Sequence, residues 1–336
     1  MIGWYVHHHG WGHVTRMQAI LPHLADEVTI FSSLRRPDAL DARVTWIQLP
    51  SDAEPVVGPD GIRRDARELG DVTAGGALHW APIGHPGHQE RLAIIAQWIA
   101  RSPVSAFVVD VSAEITTLVR LLGVPTVVFT QPGERTDAPH RLAFDLADRI
   151  VAPWAAGTIE SGELAARAEK VRTVGGISRH DGRARPASDG GERRALFLGR
   201  TLDADGLAEA IALLTAEGWL VETAGAREDG RVDDVWPLLC RATVVVSAAG
   251  QNGVADLAAA GARAVILAQE RPFHEQEATS RVLRARGLAV TTSSDASPAE
   301  VVALVDRAAA MTPAWDEWNV SGAAGRAAAV IEEVRA

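Results

Sequence analysis

Lysine is all but missing from this 336-residue chain: Lys170 is the only one, and arginine carries the rest of the positive charge. Basic residues are also outnumbered. The formal charge of −10 excludes generic nucleic-acid binding, which needs a basic stripe to face the phosphates. Cysteine is just as scarce. Cys240 stands alone inside WPLLCRATVVV, so there is neither a disulfide framework nor a thiolate metal site, and the residue reads as a small buried hydrophobe. No apolar run approaches the roughly 20 residues that span a bilayer. The opening MIGWYVHHHG lacks the basic flank and apolar stretch of a secretory signal. A cytoplasmic location is the expectation, with at most peripheral contact at the inner face of a membrane, where Arg63, Arg64 and Arg67 form a local basic group.

What is present is material for two cores. Apolar residues make up 47% and charged residues 23% of the chain, which excludes disorder, and 336 residues exceed what one core usually serves. From residue 2 onward short β-branched runs alternate with stretches of helical period: strands near 2–8, 28–32, 44–49 and 107–109, helices near 14–24, 91–99 and 111–122, then a strand in GVPTVVF. After residue 193 the cycle restarts, with strands near 195–198, 220–223, 243–247 and 264–267. Such alternation predicts an α/β protein with parallel, doubly wound sheets. The expected layout is a first Rossmann-like domain over 1–155, a linker over 156–192, a second Rossmann-like domain over 193–312 and a C-terminal helical segment over 313–336. The stretch 50–89 breaks the pattern and is rich in Gly, Pro and His, which marks a long loop and a candidate binding surface.

Two junctions carry chemistry. In VVVSAAGQNGVADLAAAG an apolar strand ends at Ser247, small residues turn, and a helix opens near Gln251. Free backbone N–H groups and the positive end of a helix then meet at the sheet edge, a place for an anion such as a diphosphate. In HHHGWGHVTR, glycines Gly10 and Gly12 permit a close turn after the first strand and carry His13 and Arg16 into the first helix. Asp110 ends the strand SAFVVD and leaves the sheet on the same side, so it can orient an imidazole, or else cap the following helix. A metal is not expected. His7 and His9 face away from His8 in an extended strand, and Asp203-Ala-Asp205 begins a helix, where capping accounts for it.

The stretch from Val244 to Gly287, with its SAAGQN turn, following acidic residue and HEQ sequence, resembles the donor-binding region of family-28 and family-1 glycosyltransferases. The Gly-His loop at 10–16 resembles the first loop of the same proteins. Ala249 stands where a glycine is usual, and Arg263 where a proline is usual. The resemblance implies the GT-B architecture, two Rossmann-like domains facing across a cleft. It implies main-chain contacts from Gly250, Gln251 and Asn252 to a diphosphate, with Gly199 and Arg200 opposite and Ser247 at the strand end. Asp256 would meet a ribose, Val232 the base, and Glu275 with Gln276 the donor sugar. His13 would be a general base oriented by Asp110. Gly10, Gly12, Arg16, His79, Trp80 and His85 would line the acceptor side. The implied reaction is inverting, metal-independent transfer from a nucleotide-sugar, UDP-linked, to an acceptor hydroxyl in cell-envelope glycan or glycoconjugate synthesis, lipid-linked acceptors included. The nucleotide-sugar is a substrate, and no cofactor is expected. A nucleotide-sugar epimerase and a noncatalytic binding module on the same fold are the alternatives.

Overall fold

The computed structural model describes residues 1–8, 10–38, 40–58, 60–186, 191–226, 232 and 234–335. His9 and residues 187–190 of the expected linker lie outside them.

The first half opens with β1 (Ile2–Val6), α1 (Gly12–Ile20), β2 (Val28–Ser32) and β3 (Val44–Gln48). A small hairpin, β4 (Val56–Val57) with β5 (Arg63–Arg64), interrupts the series before α2 (Pro86–Arg101). Then come β6 (Ala106–Asp110), α3 (Ala113–Leu121), β7 (Thr126–Phe129), α4 (Ala138–Leu146), β8 (Arg149–Ala152), α5 (Gly162–Ala165) and β9 (Val171–Thr173). Seven parallel strands pair in the order β3-β2-β1-β6-β7-β8-β9. The sheet is covered on both faces, so its central strands are apolar throughout: all five residues of β1 are buried. Ile2, Trp4 and Val6 enter one core, while Tyr5 joins Phe31, Phe107 and Val109 in the other.

The second half runs β10 (Arg194–Leu198), α6 (Ala204–Ala216), β11 (Leu220–Ala224), α7 (Trp236–Arg241), β12 (Val244–Ala248), α8 (Gln251–Ala259), β13 (Ala264–Ala268), α9 (Glu275–Ala285), β14 (Val290–Ser293), α10 (Pro298–Ala309) and α11 (Ala323–Glu333). Its five parallel strands take the order β11-β10-β12-β13-β14.

The domain limits read from sequence need adjusting. β9 bonds to β8 in the first sheet, so that domain runs past 155 and into the segment expected to be linker. Strands β8, β9 and β14 are absent from the sequence reading. α11 crosses back to the first domain, where Ala323, Ala324, Ala327, Ala328 and Ile331 join the core beside Val14 and Met17. Its row of alanines lets two helix backbones come close, and Arg326 ties the crossing by donating to Val174 O at 2.8 Å.

Candidate active site

Each sheet reverses its winding once, between β1 and β6 in the first and between β10 and β12 in the second. In open parallel sheets the crevice at the carboxyl ends of such strands is where ligands bind. His13 and Asp110 follow β1 and end β6. Gly199 and Arg200 follow β10, and Gly250 to Asn252 follow β12. All the sequence-predicted chemistry of both junctions therefore sits at the two switch points.

In the first domain Asp110 is fully buried. It does not cap α3, because Ser112 does, accepting from Ile115 N at 3.2 Å. Asp110 Oδ1 instead faces His13 Nδ1 at 3.1 Å and accepts from Arg16 Nη2. Burial pushes the Asp110 carboxyl up, but the charges and hydrogen bonds of Arg16 and His13 outweigh it and hold it at about 2. His13 Nδ1 therefore lies between the Asp110 carboxylate, which only accepts, and Arg16 Nη2 at 3.3 Å, which only donates. Asp110 Oδ2 has no partner among the described residues. The next residue, Val111, has φ +62°, a costly conformation for a β-branched side chain, and such strain concentrates at functional sites.

Arg16 corrects the sequence reading. Expected on the acceptor side, it is 3% exposed, sits over the Phe129 ring at 5.0 Å, and donates through Nη1 to Gln251 Oε1 at 3.1 Å. Asn252 Nδ2 donates to Gly12 O. The helix that opens the second-domain junction is thus bonded directly to the His13 loop.

In the second domain α8 begins at an uncapped Gly250. The N–H groups of Gln251, Asn252 and Gly253 meet no acceptor among the described residues, which is the arrangement an anion completes. Gly199 takes φ +73° and donates to Ala224 O at 2.8 Å, while Arg200 O accepts from Gln269 Nε2. Val232 is exposed, at 38%. Gln276 is buried, and its Oε1 accepts from Ala249 N at 3.1 Å and Gln269 N at 3.0 Å. That oxygen is occupied, so only the Gln276 amide nitrogen remains to meet a donor sugar. Glu275 lies 3.8 Å from Arg135. Burial raises its carboxyl, against the charges of Arg135, Arg16 and His13, which places Glu275 within reach of both domains' chemistry.

Asp256 is not a solvated helix residue. It is 8% exposed, and Oδ1 accepts from Ser178 Oγ at 2.5 Å. Burial lifts its carboxyl to about 6, against the Ser178 bond and the Arg179 charge. A ribose competing for Asp256 Oδ1 would have to displace Ser178. Nearby, His180 stacks on Trp236 at 5.1 Å.

The expected acceptor residues divide. His85 is buried and caps α2, accepting from His88 N at 3.2 Å, with Nε2 2.9 Å from Glu54 O. It is a structural cap, because a long loop entering a helix must satisfy that helix's first N–H groups. Trp80 spends its Nε1 on Asp52 O at 3.2 Å. Asp203 likewise caps α6, accepting from Gly206 N at 2.7 Å. Of the loop residues, His79 lines a cavity, together with Val111, Phe129, Gln131, His140 and Phe144.

Sequence reasoning missed two clusters. Asp52 is buried against Arg91, with His88 at 3.8 Å, and Arg91 also donates to Tyr5 Oη at 3.2 Å. Burial raises the Asp52 carboxyl, but the hydrogen bonds and charges of His88, Arg91 and His8 drive it far below the usual range. No local spacing announces contacts between residues so far apart. The second cluster is Arg135, Asp137 and His140 at the start of α4. Its signal was legible: Asp137 before Ala-Pro-His is a helix N-cap with proline in the first turn. Phe273, from the loop before α9, completes this cluster from the other domain. It lies 4.6 Å from the His140 ring and under Arg135 at 5.0 Å, and its carbonyl accepts from Glu134 N at 2.7 Å. Gly133 makes that approach possible, since a Cβ there would meet Phe273 O at 2.1 Å.

His79, Asp137 and His140 bring their ligand atoms within 4.8 Å of one another, a spacing a metal ion accepts. Hydrogen bonding argues against one. Arg135 Nη1 can only donate, so His140 Nε2, at 2.9 Å, must accept. The proton is then on Nδ1, aimed at Asp137 Oδ1 at 2.6 Å, and that nitrogen has no lone pair for a cation. No helix among the described residues is long and apolar enough to cross a membrane.

No family model matches the chain, and no curated protein matches it. Solved structures do. The glycosyltransferase of kitacinnamycin superposes with a TM-score of 0.66 at 13% identity, over 99% of this chain and 98% of that one. MurG of Acinetobacter baumannii gives 0.61 at 16% identity, over 99% of both chains. The spinosyn rhamnosyltransferase SpnG, complexed with thymidine diphosphate, gives 0.62 at 17% identity, over 99% and 96%. The chain therefore has the GT-B fold end to end: two Rossmann-like domains facing across a cleft.

Proposed function

We propose that the chain is a glycosyltransferase that moves a sugar, with inversion, from a nucleotide-sugar to an acceptor hydroxyl. The observation that carries this reading is the meeting of the two switch points. The His13–Asp110 pair of one domain is joined through Gly12 and Arg16 to the uncapped helix start, Asn252 and Gln251, of the other.

His13 Nε2 takes the acceptor's proton as its oxygen attacks the anomeric carbon, and the Asp110 carboxylate stabilises the imidazolium that forms. The bond from that carbon to the nucleoside diphosphate breaks on the opposite face. The free N–H groups of α8 and the cation of Arg200 receive the charge that develops on the departing diphosphate, an electrostatic role that needs no metal. Glu275 and the Gln276 amide nitrogen lie at the junction where the donor sugar would rest. UDP is the nucleotide we assign, with cell-envelope glycan or glycoconjugate synthesis as the setting.

Thermal shift against UDP- and TDP-linked sugars fixes the donor first, because a ligand that binds only the folded state raises its melting point. His13→Ala is then expected to lower kcat by roughly 10² to 10⁴-fold while leaving the donor-induced shift in place, with added chelator without effect. Wild-type turnover by His13→Ala would remove the base assignment. Isomerised donor formed without any acceptor would establish the epimerase instead.

A further inference from the structure

Departure of a diphosphate calls for more positive charge than the groups named so far supply. A terminal phosphate carries about one negative charge while it is esterified to the sugar and about two once it is free, because its second pKa is near 6. The start of α8 offers the equivalent of roughly half an elementary charge, and Arg200 adds its own. The other cations at the junction are spent, Arg16 on Asp110 and Gln251, and Arg135 on Gln131 and His140.

Arg271, absent from the sequence reading, stands where the balance can be made up. Gln276 Oε1 joins the ends of β12 and β13 by accepting from Ala249 N and Gln269 N. Gln269 in turn divides its carboxamide between two partners: Nε2 donates to Arg200 O, and Oε1 accepts from Arg271 Nη2 at 2.8 Å. One carboxamide therefore sets the Arg271 guanidinium beside the turn that follows β10. Arg271 is exposed and makes no ion pair among the described residues, so its remaining N–H groups are open to a ligand. Its charge also reaches the side of the site where transfer would occur. Burial raises the Glu275 carboxyl, and the charges that oppose this are those of Arg135, Arg16, His13 and Arg271. The chain just after Arg271 is held from both domains. Phe273 and His274 take φ +63° and +54°, a costly pair of conformations that concentrates at functional sites, and Phe273 O is fixed by Glu134 N at 2.7 Å.

We infer that Arg271 is a catalytic residue: held by Gln269, its guanidinium takes up the second negative charge that forms on the terminal phosphate as the sugar departs. This rests on the transferase reading for the departure step, while the phosphate contact can be measured without it. As the bond from the anomeric carbon to the phosphate oxygen breaks, its electron pair stays on that oxygen. The acceptor oxygen supplies the pair for the new bond, and its proton passes to His13. A cation that meets charge only as it develops lowers the barrier more than it strengthens donor binding. A planar guanidinium suits the task, since two parallel N–H groups can meet two oxygens of one phosphate.

Isothermal titration of the full chain with UDP and UMP, and in parallel with TDP and TMP, reads the contact without turnover. The wild type is expected to hold UDP, TDP or both more tightly than the matching monophosphate. Arg271→Gln should weaken the diphosphate about ten- to a hundredfold, the size of one hydrogen-bonded contact to a charged group, and leave the monophosphate within about twofold. Tm should stay at the wild-type value because the side chain is exposed. In turnover, kcat should fall by a similar factor with KM for the nucleotide-sugar nearly unchanged. Unaltered diphosphate affinity in Arg271→Gln, an equal loss for diphosphate and monophosphate, or a wild type that does not distinguish them would overturn the inference while leaving transfer itself open to assay. Diphosphate binding that depends on Arg271, with no transfer to any acceptor, would instead sink the transferase reading and leave the phosphate contact standing.

Discussion

Replacing Asp256 by asparagine should make the protein more stable at neutral pH, although the residue was first picked out as a ligand contact. In the folded chain the Asp256 carboxyl is lifted from 3.8 to about 6, chiefly by burial. A raised folded value means that the native state prefers the protonated form. The stabilising contribution is complete below pH 3.8 and is lost as pH rises through 6. At about 1.36 kcal/mol per pH unit, the difference amounts to about 3 kcal/mol at pH 7.5. Asparagine keeps an oxygen for the Ser178 hydroxyl and carries no charge, so it removes this penalty without opening a cavity. The expected result is a Tm above wild type at pH 7.5 by roughly 6 to 12 °C for a cooperative unit of about 150 to 250 residues. The gap should narrow through pH 6 and close near pH 3.8. Differential scanning calorimetry across that range reads both the size and the window. A variant less stable than wild type at pH 7.5 would show that Asp256 is stabilised as a carboxylate, and a gap that does not change with pH would show that its titration is the same in folded and unfolded chains; either refutes the reasoning. Nucleotide affinity measured on the same variant tells whether a ribose displaces Ser178: if it does, affinity falls while stability rises.

Arg16→Met should lower stability by about 3 to 5 kcal/mol, because it leaves the Asp110 charge buried without its cation; urea denaturation should show a larger loss at pH 8 than at pH 4, where Asp110 can take up a proton. Asn252→Ala removes the bond to Gly12 O and should reduce kcat/KM about two- to tenfold, as expected of one hydrogen bond, with Tm nearly unchanged. Gly133→Ala meets both a φ of +102° and the Phe273 carbonyl; a strain of about 1 to 3 kcal/mol should weaken the docking of the two loops, and small-angle scattering should show a wider chain with turnover reduced about tenfold or more.

Read alone, the sequence determined the features that local physics controls. Alternating apolar runs specified parallel sheets because strands covered on both faces must be apolar along their length, and small residues after β1 and β12 marked the turns at the sheet edges. Those two junctions, with Asp110 at the end of β6, were legible because each is a strand end followed by a helix start. Only the tertiary structure decided which of their side chains face the cleft. Arg16 and Asp256 carry charge and looked like ligand contacts, yet both are buried against partners far along the chain, Asp110 and Ser178. His85 looked like loop chemistry and is a helix cap. Asp52 with Arg91, and His79 with Asp137, join segments whose separation has no period to read. Packing brings such pairs together, and the charge of a buried group is set by the neighbours that packing supplies, which no single stretch of sequence contains.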